Sequence, residues 1–212
     1  MEQGLDISFA ITACNEELEL EKLLQQIEAI TGVNDEVVLQ LDTNATPGVK
    51  RIANLYLDKD CDKCITYPLN KDFSQFKNNL KNQCSREYIV FLDADELLSD
   101  TLALNIHQLL KDNRTIEVFW LPRANYVEGI TPDHVTEWKW VVDDKQRINY
   151  PDYQGRIIKN LPQIKWYGSV HEQIIGADPM LSVAVPGDLG LDIIHNKEIK
   201  RQELQNKLYQ LL

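Results

Sequence analysis

The chain has 212 residues, of which 43% are hydrophobic and 26% charged, and its formal net charge is -11. This balance is typical of a single folded domain and argues against a disordered chain. The acidic excess argues against a nucleic-acid-binding protein, because contact with a phosphate backbone requires a basic face. The sequence contains no apolar run long enough to span a membrane and no signal peptide, so we expect a cytoplasmic protein.

Alternating strands and helices are predicted along residues 1–122. Short apolar runs rich in β-branched residues predict strands at residues 5–13, 36–41, 64–67, 88–92 and 115–122. Stretches with helical spacing separate them, and the first has the inward positions Leu20, Leu23, Leu24, Ile27 and Ile30. This order predicts an α/β fold, a mostly parallel sheet with helices on both faces, in one domain that spans residues 1–212.

The pattern changes in residues 123–212, where polar and aromatic residues are interrupted by proline and glycine. Trp138 and Trp140 occupy alternate positions, which suggests an edge or antiparallel strand with both indoles on one face. They could cover the sheet or bind the face of a sugar. A final amphipathic helix is predicted, with Leu204, Leu208 and Leu211 on its inner side. We therefore expect a small antiparallel region after the parallel half.

Three carboxylates follow the strand predicted at residues 88–92, in the sequence Asp93-Ala94-Asp95-Glu96. Open α/β sheets bind their ligands at the carboxyl ends of the strands, so this position favours a functional site. In an extended or turning backbone, Asp93 and Asp95 can face the same side and offer oxygen ligands to one divalent cation. The spacing alone leaves a second interpretation open, a solvated acidic turn that begins the next helix, with Glu96 near its N-terminus.

Several segments resemble the family 2 glycosyltransferases, which have the Rossmann-like GT-A fold. The acidic turn is similar to their D-x-D motif, and residues 72–96, with D-F-x-x-x-K-N followed by EYIVFLDADE, are similar to the segment around it. Residues 7–24 are similar to the opening strand and N-E-E segment, and residues 156–172 to the R-L-F-x-N and W-x-G-x-V-H-E elements of one subgroup. The resemblance implies a nucleotide-sugar-binding half at residues 1–122 and an acceptor-side half at residues 123–212.

The family's donor and metal sites correspond to particular residues of this chain. The resemblance implies a UDP- or GDP-sugar donor, bound by Thr12, Asn15, Glu16, Asp42, Lys77, Asn78 and Asp93. It also implies a divalent metal, Mn²⁺ or Mg²⁺, held by Asp93, Asp95 and His195. Lys77 stands where the family usually has arginine, which keeps the positive charge and loses the bidentate geometry. Local alternatives stay open for Asn15 as a helix cap, Asp42 as a turn residue and His195 as a surface residue.

The resemblance further implies the chemistry. Transfer of a sugar to a hydroxyl group needs a base for the acceptor proton, and Glu172 is the first choice, with His171 as the competing base or a positioning residue. We expect inversion at the anomeric carbon, and an acceptor that is a saccharide, a lipid-linked hydroxyl or a protein hydroxyl. Peripheral contact with a membrane stays open. The alternative is a non-catalytic module of the same fold that binds nucleotide sugars or carbohydrates.

Overall fold

The computed structural model describes residues 5–57 and 60–203. The strands of the central sheet are β1 (Ile7–Ala13), β2 (Glu36–Asp42), β3 (Lys63–Tyr67), β4 (Tyr88–Asp93), β5 (Glu96–Leu98), β6 (Val118–Glu128), β7 (Ile148–Lys159), β10 (Ser182–Ala184) and β11 (Ile193–Glu198). Their order across the sheet is β3-β2-β1-β4-β7-β6-β11-β5, and β10 pairs with β6 outside this order. A separate antiparallel hairpin is formed by β8 (Lys165–Tyr167) and β9 (Gln173–Ile175).

Helices cover both faces of the sheet. They are α1 (Glu17–Ile30), α2 (Pro47–Tyr56), α3 (Phe73–Lys81), α4 (Asp100–Asp112) and the short α5 (Pro132–Glu137). The inward residues of α1, α2 and α4 join one buried cluster with side chains of β1, β2 and β4. On the opposite face, Leu80 of α3 joins Phe91 and Trp166 in a second cluster. The prediction of an α/β fold with helices on both faces is therefore confirmed.

The first half of the sheet is parallel, as predicted. β3, β2, β1 and β4 run in the same direction. All residues of β2 are buried, and in β4 only the last residue is not. Strands covered on both faces have continuous apolar sequences, which is why these strands could be predicted. Because parallel strands end at the same edge, the residues that follow β1, β2 and β4 come together there.

The second half of the sheet is mixed. β7 is antiparallel to both β4 and β6, β11 is parallel to β6, and β5 is antiparallel to β11. The strand predicted at residues 115–122 extends to Glu128, because its second half pairs with β7 and β11. After the acidic turn the chain forms β5, so the alternative in which Glu96 begins a helix is wrong. The helix α4 begins only at Asp100, where the Ser99 side chain caps it by accepting the Leu102 N–H.

Trp138 and Trp140 do not lie on a strand, so that prediction is wrong. Pro132 begins α5, and Thr131 caps it with a reciprocal pair of hydrogen bonds to the backbone and ring of His134. The two indoles follow this helix and contact each other edge to face, with ring centroids 4.8 Å apart. A helix this short has too few turns for hydrophobic periodicity to identify it, and the alternating aromatics gave a misleading signal.

The carboxyl-terminal part of the chain is only partly described. Residues 199–203 are helical. The inner positions predicted for the final helix, Leu204, Leu208 and Leu211, lie outside the described residues. No helix within residues 5–57 and 60–203 is long and apolar enough to cross a membrane. The division into two functional halves of one domain, and the location in the cell, stay predictions.

Candidate active site

The carboxyl edge of the parallel strands brings the main donor-side residues together. Thr12 in β1 lies opposite Asp93 in β4, and its hydroxyl donates to Asp93 Oδ1 at 2.9 Å. Asp42 ends β2, on the other side of β1. Asp42 lies two residues beyond Gln40, the β2 residue that is level with Asp93, so strand spacing and rise place it about 12 Å from Asp93. A single ligand can therefore reach both carboxylates.

Asp93 is held in its ionised form by two cations. Arg156, which is 3% exposed in β7, donates from Nη2 to Asp93 Oδ2 at 2.9 Å. Burial raises the pKa of Asp93, but the Arg156 guanidinium and the Lys77 ammonium outweigh it and bring the pKa well below its ordinary value. One oxygen accepts from Thr12 and the other from Arg156, so each oxygen keeps a further lone pair for a ligand.

Asp95 and His195 converge in front of the acidic turn. The pairing of β11 with β5 places His195 opposite Glu96, and Nε2 of the ring lies 3.5 Å from Asp95 Oδ2, with both side chains largely buried. Asn125 Nδ2 donates to Asp152, so its Oδ1 faces the His195 ring and accepts from Nδ1 at 2.7 Å. This hydrogen bond engages Nδ1 and orients the ring, so Nε2 is the ring nitrogen that faces Asp95.

Asp95 and His195 fit a metal ion whose remaining ligands come from a bound substrate. Burial raises the pKa of Asp95, while the hydrogen bond from His195 lowers it, and the net shift is downward, so the carboxylate is available as a ligand. Within residues 5–57 and 60–203, no group of three or more His, Cys, Asp or Glu side chains is arranged to hold a metal alone. Asp95 and His195 supply one oxygen and one nitrogen, a donor set that suits Mn²⁺ or Mg²⁺, and a bound diphosphate would supply further oxygens. Metal ligation by Asp93 stays a prediction.

Glu96 is the fully buried centre of a charge network that the sequence did not reveal. Its carboxylate accepts from Arg156 Nη2 at 2.5 Å, from Arg123 Nη1 at 3.3 Å and from the Asp93 N–H at 3.2 Å. Arg123 also donates to Asp152 through Nε and Nη2 at 3.0 and 2.6 Å. The available signal was Arg156 next to an apolar run in β7, because an arginine buried with such a run requires an acidic partner.

The proposed base, Glu172, forms an ion pair with Lys77 of α3. Nζ contacts Oε1, and the two side chains are 11% and 15% exposed. The same ammonium lies 4.4 Å from the centroid of the Trp166 ring. Glu172 is in the turn between β8 and β9, and the preceding residue, His171, is exposed with φ +57°. Lys77 therefore links the predicted base to the edge where Asp93 lies.

Two other predicted donor-side residues fix loops at this edge. The side chain of Asn78 makes two hydrogen bonds to the backbone of Trp166, donating from Nδ2 at 2.8 Å and accepting at Oδ1 at 2.9 Å. Asp42 accepts the N–H groups of Asn44 and Leu69 at 2.7 and 2.8 Å, so its role as a turn residue is present in the structure. The hydrogen bonds to Trp166 use both polar groups of the Asn78 side chain. They do not support donor binding by Asn78, which stays a prediction.

The contacts of the N-E-E segment differ from the predicted helix cap at Asn15. Glu16, not Asn15, is the N-cap of α1, and no side chain caps this helix, so the alternative for Asn15 is wrong. Glu16 Oε2 accepts the N–H groups of Cys14 and Asn15, and its Oε1 accepts from Arg201 at 2.5 Å. Arg201 Nη2 also lies 3.6 Å from Asp95, which connects the first loop to the predicted metal residues.

One cavity opens beside His195, and a larger one adjoins it. The smaller, about 210 Å³, is lined by Trp140, Asn125, Lys197 and neighbouring residues. The larger, about 560 Å³, shares Lys197 with it and extends to Lys22 of α1. Trp140 comes from the second half of the chain, so that half contributes an aromatic wall next to the predicted metal residues, of the kind against which a sugar ring packs.

Known glycosyltransferases resemble this chain in sequence. The model of glycosyl transferase family 2 matches residues 8–166. The lipopolysaccharide core biosynthesis glycosyltransferase LpsC of Rhizobium meliloti (strain 1021) is 27% identical over 135 residues, which are 63% of this chain and 48% of LpsC. This chain thus spans about half the length of that relative.

Solved structures of S. aureus TarS are similar in fold. The TarS 1-349 structure has a TM-score of 0.52 at 14% identity, over 74% of this chain and 47% of that one. The same fragment in complex with UDP has a TM-score of 0.51 at 18% identity, over 60% of this chain and 38% of that one. Identities this low show the fold alone, whereas the family model covers most of the sequence. On that match, the chain belongs to glycosyl transferase family 2.

Proposed function

We propose that this chain is a metal-dependent glycosyltransferase that moves a sugar from a nucleotide-sugar donor to a hydroxyl acceptor with inversion. The observation that carries the proposal is the convergence of Asp95 and His195, next to Asp93, beyond the carboxyl end of β4. Open α/β sheets bind nucleotides at this edge. Family membership supports sugar transfer, and the complex of TarS with UDP supports a nucleoside diphosphate as part of the donor.

Asp95 and His195 would hold Mn²⁺ or Mg²⁺ together with the donor's phosphates, and Asp93 would be a further ligand or a ribose contact. Such a metal, when bound, stabilises the negative charge of the departing nucleoside diphosphate. Asp93 is kept ionised by Arg156 and Lys77, so it can accept strong hydrogen bonds from donor hydroxyl groups. Thr12 orients this carboxylate through its own hydroxyl.

Glu172 would act as the general base. The acceptor hydroxyl loses its proton to the carboxylate while its oxygen attacks the anomeric carbon, and the bond from that carbon to the phosphate oxygen breaks on the opposite side. This direct displacement inverts the configuration. His171, in the same turn, is a second candidate for the base or positions the acceptor. The remaining donor contacts would come from Asn15 and from the loops held by Glu16, Asp42 and Asn78.

Part of the acceptor would occupy the smaller cavity, which His195 lines. The indole of Trp140 and the amide of Asn125 line the smaller cavity, and this combination of an aromatic face with hydrogen-bonding groups suits a saccharide. An acceptor hydroxyl on a sugar, a lipid-linked sugar or a protein is consistent with the proposal. The donor would be a UDP- or GDP-sugar.

A screen of UDP- and GDP-sugars for hydrolysis with Mn²⁺ tests this function without knowledge of the acceptor. We expect turnover that is lost on chelation, and a decrease of about 100-fold in Asp95→Asn, because the carboxylate ligand paired with His195 is removed. Asp112→Asn, at the exposed end of α4, removes the same charge away from the site and should retain the wild-type rate. Full turnover in Asp95→Asn would refute the metal role, and binding of nucleotide without any turnover would favour the non-catalytic module.

A further inference from the structure

Lys77 lies between the predicted base and the donor acids. Its ammonium forms an ion pair with Glu172, and its charge also lowers the pKa of Asp93. Both members of the ion pair are largely buried, so their attraction is screened less than that of a surface pair. One cation is therefore shared between a carboxylate assigned to proton transfer and a carboxylate assigned to donor binding.

Hydrogen bonds and ring packing hold the two segments that carry this ion pair, α3 and the turn between β8 and β9. Asn78, the next residue of α3, holds the Trp166 backbone by two hydrogen bonds, and the Phe73 N–H donates to the carbonyl of Ser169 at 3.0 Å. The Trp166 ring packs edge to face on Phe91, with centroids 5.6 Å apart. The turn that contains Glu172 is thus docked on α3. The movable part of the arrangement is the lysine side chain, a flexible stem with a compact charge.

The two cations beside Asp93 differ in their freedom to reach a new anion. Arg156 is 3% exposed and its Nη2 bonds both Asp93 and Glu96, so moving it would deprive two carboxylates of their shared cation. Lys77 has one carboxylate partner in its ion pair and three N–H donors that can turn about the end of the stem. The Trp166 ring, 4.4 Å from this ammonium, packs on Phe91, which lies two residues before Asp93 in β4. A diphosphate bound next to Asp93 would therefore bring negative charge close to the ammonium.

We propose that Lys77 is a positioning residue that holds Glu172 in the free protein and turns its ammonium to the donor's diphosphate, so that nucleotide binding releases the base. This inference rests on the proposed function of the same site. Glu172 and the diphosphate compete for one cation. The base is therefore restrained until the donor is bound. Arginine at this position would fork between the two anions and restrain them together.

The competition has a consequence that a purely structural ion pair would not have. If the Lys77–Glu172 ion pair must break before the diphosphate can bind Lys77, neutralising Glu172 should tighten nucleotide binding. The gain should require the lysine, because without the ammonium there is nothing to release. Coupling between two sites of this kind is typically 5-fold or more in affinity. A role limited to folding predicts weaker or unchanged binding in Glu172→Gln.

Titration calorimetry with UDP and Mn²⁺ measures this coupling in the full chain. We compare wild type, Glu172→Gln, Lys77→Met and the double variant, with Lys77→Gln as a second neutral replacement if the methionine variant does not fold. Glu172→Gln should bind UDP about 5-fold more tightly than wild type, and Lys77→Met should bind UDP about 10-fold more weakly. In the Lys77→Met background, adding Glu172→Gln should change UDP affinity by less than about 2-fold. Lys77→Arg should retain tight binding.

A charge control separates local competition from a general effect of net charge. Glu87→Gln removes one negative charge from an exposed ion pair with Arg114 at the amino end of β4, about 20 Å from Asp93 along the strand, and should leave UDP affinity unchanged. Equal tightening by Glu172→Gln in both Lys77 backgrounds, or no tightening in either, overturns the inference alone. If wild type binds neither UDP nor GDP with Mn²⁺, the proposed function itself fails, and the inference with it.

Discussion

Replacing Arg156 by methionine tests whether the acidic turn depends on one buried guanidinium. Arg156 Nη2 bonds Asp93 and the fully buried Glu96, and it joins them across two strands. Methionine keeps much of the side-chain volume but removes the charge. Glu96 would then keep only the longer contact with Arg123 at 3.3 Å and the Asp93 N–H. The two carboxylates would face each other without their shared cation.

The cost follows from leaving a charge buried without its partner. Removing one member of a buried ion pair costs about 3–5 kcal/mol. Asp93 is 39% exposed and gains solvation when released, so most of the cost comes from Glu96, and we take about 3 kcal/mol. For a chain of this length, this loss corresponds to a decrease in Tm of about 6–12 °C. Arg156→Lys keeps the charge but cannot fork, and should lose about half as much.

Urea denaturation followed by circular dichroism measures the loss, and its pH dependence identifies the cause. The pKa of Asp93 is held below its ordinary value, so the stabilisation is complete above about pH 4 and is lost as the pH falls through the folded-state value. The part of the Arg156→Met deficit that comes from Asp93 should therefore narrow in acid, as this carboxylate takes up a proton. Adding Glu96→Gln should recover part of the loss. A deficit below about 1 kcal/mol, or one that stays constant with pH, would refute the reasoning.

Two further predictions concern stability away from the site. His107→Gln should lower the free energy of unfolding by about 1 kcal/mol near pH 5.5 and by much less near pH 9, a modest effect because His107 is 38% exposed. The 2.8 Å hydrogen bond with Asp35 raises the pKa of His107 despite burial. The contribution of His107 to stability is therefore complete below the ordinary histidine pKa and is lost as the pH rises through the folded-state pKa. Equal losses of stability at both pH values, measured by urea titration, would contradict this prediction. Gly176→Ala should cost about 3 kcal/mol, because φ is +86° and the added Cβ would lie 1.9 Å from the Gln163 carbonyl oxygen. Gly190→Ala is its control, with φ +66° and the nearest atom at 3.7 Å, and should cost about 1 kcal/mol; thermal unfolding that does not separate the two variants would count against the steric argument.

Local sequence patterns were sufficient for the parallel half of the sheet. The strand predicted at residues 36–41 is Glu36–Asp42, and the one predicted at residues 88–92 is Tyr88–Asp93. Buried parallel strands are apolar throughout, and the helices between them have the spacing of a buried face, so each element is specified by its own residues. The mixed half was not predictable in this way. The insertion of β7 between β4 and β6 joins segments far apart in the chain, and no local pattern identifies the partner strand.

The same distinction applies to the site. The position of Asp93 and Asp95 could be predicted, because acidic residues that directly follow a buried strand must lie at the edge where α/β proteins bind ligands. The alternative that placed Glu96 at the start of a helix failed, because Glu96 instead forms a buried ion pair with Arg156 on another strand. His195 was identified only through resemblance, and the tertiary structure brings it within 3.5 Å of Asp95.

The sequence by itself determined the parallel α/β framework and the acidic edge of the sheet, since both depend on the order of neighbouring residues. Only the tertiary structure decided which cations meet these acids. Lys77 and Glu172 are separated by 95 positions, and Asp93 and Arg156 by 63. A charge is stabilised by whatever lies within a few ångströms in space, and that neighbour is set by how the strands and the hairpin pack. For this reason the electrostatics of the site had to come from the fold.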